Sequence, residues 1–151
     1  MIVDLVRNDL SRIAQKGSVK VDELYKPYSF EQVHHLISTI KAKIKAGISS
    51  IDAIRASFPM GSMTGAPKIS AMKIIEDVEV SKRGLYSGAV GYFTPNDDFD
   101  FNVVIRSILF NSNNSYISFS VGSAITSNSI AENEYNECLI KAAAMRKVLE
   151  N

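Results

Sequence analysis

The 151-residue chain carries 17 basic and 16 acidic side chains, a net charge of +1 that gives no reason to expect nucleic acid or a membrane surface as partner. Apolar residues make up 46% and charged residues 22%, the balance of a soluble globular protein, and the length suits one domain with its own core. No apolar run is long enough to span a bilayer and no signal-peptide pattern is present, while the single cysteine, Cys138, rules out an internal disulfide and fits a reducing cytosol.

The opening stretch MIVDLVRNDLSRIA reads as helix from its first residue, with Leu5 and Leu10 among charged neighbours, and Gly17 ends it. No cap precedes that pattern, so the chain is expected to be cut from something longer. A short strand is expected over 18–21. Residues 29–45 fit either a helix or a strand. Val33, His35, Ile37 and Thr39 alternate with His34, Leu36, Ser38 and Ile40, and the β-branched content favours a strand over 33–42. Ser49, Ser50 and Asp52 start a helix that runs to about Ser57.

Next comes FPMGSMTGAPKISAMKIIEDVEV, a small-residue loop followed by a helical pattern with Ile69, Met72 and Ile75 three apart. Pro67 suits the first helical turn, where its missing N–H costs nothing. Two glycines and two hydroxyls ahead of a helix leave N–H donors that suit a carboxylate or phosphate; a capped helix after a flexible turn is the plainer alternative. The loop is not a phosphate-binding Walker motif: no Gly-Lys-Ser/Thr closes it, and a helix rather than a strand leads in. Three strand patterns follow, over 84–94, 99–111 and 116–125, separated by turn chemistry at Pro95-Asn96-Asp97-Asp98 and at 111–115. A helix over about 131–150 ends the chain. This grouping predicts an α+β fold with a largely antiparallel sheet and flanking helices.

Several polar residues sit uneasily in a plain core. In a strand over 99–110, Arg106 shares a face with Val104, Ile108 and Phe110, and a guanidinium is costly to bury without an anion. Either an internal Asp or Glu pairs with it, or it clamps a substrate carboxylate through two hydrogen bonds. Tyr86 falls on one face with Gly88, Val90 and Tyr92, and missing side chains at Gly88 and Gly91 admit a close neighbour. The small residues Gly122, Ser123 and Ala124 leave main-chain N–H groups accessible. On the last helix Tyr135, Leu139, Ala142 and Leu149 form the expected buried stripe, flanked by Glu134, Glu137 and Lys141. Glu137 and Lys141 form either a surface pair or, with Glu134, part of a site presenting two carboxylates to Mg²⁺. His34 and His35 point to opposite faces of a strand, so at most one reaches a given site.

In order, MIVDLVRNDL, GSVKV, VHHLISTI, FPMGSMTGAPK, RGLYSGAVGYF, VVIRS and ENEYNE resemble the chorismate-utilising enzymes, a resemblance that covers essentially the whole chain. VHHLIST with GSMTGAPK is most similar to the aminodeoxychorismate synthase component I branch of para-aminobenzoate and folate biosynthesis. The anthranilate synthase branch of tryptophan biosynthesis is a near alternative. The resemblance implies a large α/β sandwich with its site between sheets, of which this chain is the C-terminal part. It also implies Mg²⁺, chorismate as substrate, a cytoplasmic enzyme, and a glutamine amidotransferase subunit that supplies ammonia.

Matched residue by residue, Arg106 falls on the arginine that clamps a chorismate carboxylate and Tyr86 on a hydroxyl contact to the same substrate. Gly122 and Ser123 open the turn whose N–H groups hold a carboxylate, though Ala124 stands where the family usually has glycine. Glu137 matches the metal-binding glutamate, Glu134 its neighbour near the ion, and Lys141 a lysine that reaches substrate carboxylate. His35 matches the active-site histidine near the ring and is the catalytic candidate; Ser62 and Thr64 line the pocket from their loop. A second Mg²⁺ glutamate, the catalytic lysine or glutamate, and the stretch that separates the two synthases are expected ahead of Met1. The 151 residues alone are therefore expected to be inactive and to self-associate through an uncovered apolar face. A non-catalytic chorismate-binding or interaction module is the alternative of another class.

Overall fold

The computed structural model describes residues 1–30 and 34–150. Helices α1 (Ile2–Ile13), α2 (Ser50–Ser57), α3 (Lys68–Val78) and α4 (Ala131–Glu150) alternate with strands β1 (Lys20–Ser29), β2 (His34–Lys41), β3 (Ala89–Phe93), β4 (Phe99–Val103), β5 (Ile108–Asn111) and β6 (Tyr116–Phe119). The fold is α+β, as the sequence predicts. Its strands form three two-stranded pairs, β1–β2, β3–β4 and β5–β6, among the described residues. The chain divides into two compact units, Met1–Val80 with Phe93–Phe99, and Ser81–Tyr92 with Asp100–Asn151.

In the first unit, α1 ends at Ile13, and Gly17 turns the chain at φ 76°. Ile13 and Asp9 are its buried residues. The base of the following hairpin is fixed to the helix end: Lys45 N donates to Ile13 O, Gln15 N to Lys43 O, and Lys45 Nζ caps Arg12 O at 3.1 Å. A cation at the C-terminal carbonyls complements the helix dipole. β1 is longer than the four-residue strand expected from the sequence and pairs antiparallel with β2 through a bulge between Glu23 and Lys26, where Tyr25 takes φ 51°. The expected strand over 33–42 is present as His34–Lys41; Val33 lies outside the described residues. α2 opens with a reciprocal capping box, Ser49 Oγ accepting from Asp52 N while Asp52 accepts from Ser49 N. The Ser49 hydroxyl, which donates to Asp52 Oδ2 at 2.6 Å, and then the Ser49 N–H hold the Asp52 carboxyl below its ordinary range.

In the second unit the strands are shorter than their patterns suggest. The expected strand over 84–94 is regular only from Ala89, because residues 84–87 form a turn with Ser87 at φ 69°. The expected strand over 99–111 breaks into β4 and β5, with Arg106 at φ 50° in the break. β5 and β6 pair antiparallel, Ile108 opposite Phe119 through Asn111 opposite Tyr116. Regular pairing ends at Phe119, so residues 120–125 are an extended loop rather than a strand end. α4 buries Ala142 and Met145. Of the stripe expected from the sequence only Ala142 is covered: Tyr135 is 64% exposed, and Leu139 and Leu149 are exposed too. Glu134, Cys138 and Lys141 are half-buried instead, so the covered face is turned towards the charged flank.

Candidate functional site

The second unit gathers seven of the ten residues singled out from the sequence. Its centre is the loop at Gly122 and Ser123, which is fastened to α4 at two points. Lys141 Nζ donates to Gly122 O at 3.0 Å, and Ser123 Oγ donates to Glu134 Oε2 in a short bond. Lys141 also pairs with Glu137 Oε1 at 2.6 Å. One helix thus supplies two carboxylates and an ammonium to the edge of one small-residue loop. The i, i+3, i+7 spacing of Glu134, Glu137 and Lys141 makes this possible.

The Glu134 carboxyl lies below its ordinary range, first because Ser123 hydrogen-bonds its charged form, then because Ser129 does. It is therefore a carboxylate at neutral pH. Thr126 N donates to Ser129 Oγ at 2.9 Å, so the same loop that carries Ser123 also positions the second hydroxyl. Ser129 was not singled out from the sequence; a serine two residues before a helix reads there only as a start signal. The main-chain N–H groups of Gly122, Ser123 and Ala124 make no hydrogen bond among the described residues. They are free to donate to an anion.

Tyr86 reaches this loop from a turn. Its hydroxyl rests on Gly122, so closely that a Cβ there would come within 2.6 Å of it. Tyr86 therefore does not share a strand face with Val90 and Tyr92, as its spacing suggested. The turn is fixed by Ser87 N donating to Val104 O at 2.9 Å and Val104 N donating to Gly88 O at 3.0 Å. Arg83 adds a hydrogen bond to Ser87 Oγ at 3.0 Å. Val104 is buried, and Arg106 follows two residues later, exposed in the left-handed region. The buried strand position expected for Arg106 is thus corrected: its backbone leaves the ladder before the guanidinium would be covered. Two non-glycine residues, Ser87 and Arg106, hold left-handed backbone on either side of one buried valine. Such positions are uncommon and cluster where a fold positions functional groups.

The other three residues belong to the first unit. His35 is half-buried on β2, edge-on to Phe30 with ring centroids 5.8 Å apart, whereas His34 is exposed and its Nδ1 lies 3.0 Å from Ser29 Oγ. The two imidazoles take different environments, as a strand requires. Ser62 is exposed in a short 3₁₀ turn, Gly61–Met63. Thr64 Oγ1 donates back to Met60 O at 3.2 Å and Gly61 O at 3.4 Å, so its hydroxyl braces the loop. Loop amides expected to be free are partly spent, Met63 N on Met60 O and Thr64 N on Gly61 O.

A hard divalent cation takes one or two carboxylates and fills its shell with water or substrate. Glu134 and Glu137, one turn apart on α4, are carboxylates of that donor chemistry, the first bonded to Ser123 and the second to Lys141. Among the described residues no group of three or more His, Cys, Asp or Glu side chains that could hold a metal ion comes together. Two carboxylates suit an open site completed by water or substrate, and no closed one. No helix among the described residues is long and apolar enough to cross a membrane.

A sequence profile described as chorismate binding enzyme matches residues 1–147. The chain is 47% identical over 150 residues to a protein named probable aminodeoxychorismate synthase, chloroplastic, of Oryza sativa subsp. japonica, covering 99% of this chain and 16% of that protein. It is 41% identical over 150 residues to anthranilate synthase component 1 of Methanothermobacter thermautotrophicus, covering 99% of this chain and 32% of that one. The crystal structure of anthranilate synthase component I from Streptococcus pneumoniae superposes with a TM-score of 0.83 at 38% identity, covering 96% of this chain and 33% of that chain. The chain thus spans a third or less of the length of these relatives. With nearly every residue inside the profile and the same backbone in a solved relative, the chain belongs to the chorismate binding enzyme family.

Proposed function

We propose that these residues form the C-terminal part of a chorismate-aminating catalytic domain, and that the reaction is Mg²⁺-dependent conversion of chorismate to 4-amino-4-deoxychorismate. Ammonia, delivered by a glutamine amidotransferase partner, replaces the ring hydroxyl, and water leaves. The observation that carries this reading is the loop at Gly122–Ala124, whose unspent N–H groups are fastened beside Tyr86 and the Glu134–Glu137–Lys141 face of α4. Chorismate is a dicarboxylate, and a row of amide donors next to a lysine suits one of its two anionic ends.

In this reading the amides of Gly122, Ser123 and Ala124 bind one carboxylate, and Tyr86 donates its hydroxyl to the same end. Arg106 clamps a carboxylate from the exposed turn through its two-point fork. Lys141 holds Gly122 O on one side and Glu137 on the other, which fixes the loop against the helix. Glu134 and Glu137 would hold Mg²⁺; when bound, the ion supplies charge that neutralises a substrate carboxylate and orients the ring. For the first unit, the family resemblance assigns His35 the role of the imidazole near the ring and Ser62 a pocket-lining role. The remaining groups of the site come from residues outside this chain.

The second reading is anthranilate formation, favoured by 41% identity to an anthranilate synthase component 1 and by the structural match to another. One experiment tests whether this chain completes an aminating site, with the stretch expected ahead of Met1 supplied by a relative. Residues 1–151 replace the matched segment of the Bacillus subtilis aminodeoxychorismate synthase component 1, to which the chain is 41% identical over 150 residues. The chimera is assayed with chorismate, Mg²⁺ and ammonium. Turnover to 4-amino-4-deoxychorismate without pyruvate supports the reading that these residues complete an aminating site, and no turnover with no chorismate bound contradicts it. Anthranilate is aromatic and has lost the enolpyruvyl ether, so release of pyruvate with a fluorescent product favours the second reading. Chorismate bound without turnover favours a binding module.

A further inference from the structure

The first unit contains a charged pair that none of the roles above uses. Lys68 Nζ lies 2.5 Å from Asp9 Oδ2, with the two side chains only 10% and 6% exposed. Asp9 is the one buried charged residue among those described. It interrupts the apolar stripe of α1 between Leu5 and Ile13, both one turn away. The same ammonium lies 3.5 Å from Ser57 O, the last residue of α2. Lys68 itself is the first residue of α3. One ammonium therefore ties together the residue where the 58–67 loop leaves, the residue where it returns, and the helix beneath it.

We propose that Asp9 and Lys68 are the clasp of this loop, and that they are positioning residues for the substrate of the reaction proposed above; the substrate role rests on that reading. A compact loop with its ends drawn together is ordered mainly by its closure and its own packing. Here closure is the three-way contact at Lys68 Nζ. Packing is supplied by Gly61, which is buried and lies on Leu5 so closely that a Cβ would come within 2.9 Å of Leu5 Cβ. Thr64 completes the brace from within, leaving Ser62 exposed in the turn. A buried ion pair contributes little stability beyond what apolar packing gives at the same place, but it fixes direction. Leucine and methionine at these positions fill the space without joining Ser57 to α1.

The test compares the wild-type chain with the double variant Asp9→Leu/Lys68→Met, because either single substitution strands a buried charge. Hydrogen exchange of the 151-residue chain is expected to show the 58–67 amides losing about tenfold or more of their protection, with α1 and β1–β2 unchanged. In the chimera the double variant is expected to raise KM for chorismate about tenfold with kcat within about twofold, the signature of lost binding rather than lost chemistry. Wild-type protection of the loop in the double variant overturns the clasp, and so does global unfolding, which makes the pair a support of the fold. A loosened loop with unchanged KM overturns the positioning role. A wild-type chimera without turnover contradicts the aminating reading alone, and the exchange measurement still decides the clasp.

Discussion

Gly122→Ala tests the seat of Tyr86 against the small-residue loop. The added Cβ lies 2.6 Å from the Tyr86 hydroxyl oxygen, with ring Cζ next at 3.7 Å and Cε1 at 4.0 Å. Heavy atoms prefer about 3.5–4.0 Å, so the overlap is roughly 1 Å and falls on the hydroxyl alone. Gly122 is outside the left-handed region, so alanine meets a problem of space and none of backbone strain. Overpacking of this kind costs about 1–2 kcal/mol, towards the low end because the hydroxyl terminates a side chain that can shift. Tyr86→Phe removes the one clashing atom and leaves Cζ at ordinary contact. Alanine at 122 is therefore expected to cost close to nothing in the Tyr86→Phe background, giving a coupling of about 1–2 kcal/mol between the positions. The assay is urea unfolding of the four variants of the cycle by circular dichroism, with the shift read at unchanged m. Equal cost of Gly122→Ala in both backgrounds would refute the seat of Tyr86 on this loop.

Ser123→Ala should let the Glu134 carboxyl titrate closer to its ordinary range, read by ¹³C NMR of the side chain; an unmoved midpoint contradicts the Ser123 bond as the leading cause. The sign follows from the depressed folded pKa: the stabilisation is fully present above the ordinary carboxylate pKa and is lost as pH falls through the folded value. Arg106→Lys in the chimera is expected to lose about 2–4 kcal/mol of transition-state stabilisation, since an ammonium cannot make the two-point contact, and near-wild-type kcat/KM would sink that role. Glu137→Gln should raise the Mg²⁺ concentration needed for activity, and Glu134→Gln should do so less; an unchanged metal requirement with lowered thermal stability makes the pair structural. The 151 residues alone are expected to show no amination and to self-associate, because Ile69, Ile74 and Val78 on α3 and Ile140 and Val148 on α4 are 59–75% exposed. Turnover by a monomer, seen in sedimentation beside the chorismate assay, would contradict both.

Helices were the legible part of this sequence. Ser49 and Asp52 announce α2 through a local capping exchange, and Gly17 closes the turn after α1 by its own backbone freedom. Strand lengths were not legible, because apolar alternation runs on through Ser87 and Arg106 although both adopt left-handed backbone. That choice is set by the exchange of hydrogen bonds with Val104, which no local pattern contains. The covered face of α4 was misread for a similar reason. Periodicity selects Tyr135 and Leu139, whereas the loop at 122–123 draws Lys141 and Glu134 inward through hydrogen bonds formed across 19 and 11 residues of sequence. Asp9 left a signal that went unread: a carboxylate in an apolar stripe requires a partner, and Lys68 is 59 residues away. The candidate site residues came from ordered motifs, which do not disclose that Ser62 is exposed while Thr64 braces its own loop.

The most direct test of a carboxylate held by the Gly122–Ala124 amides is hydrogen exchange of the 120–126 segment in the chimera, with and without chorismate in the presence of Mg²⁺. Amides that donate to a bound carboxylate exchange more slowly, so chorismate is expected to slow Gly122, Ser123 and Ala124 by about tenfold or more at saturation, and Arg106→Lys to require more chorismate for the same effect. Unchanged exchange of these three amides under conditions where the chimera turns chorismate over would contradict the assignment of this loop as the carboxylate site.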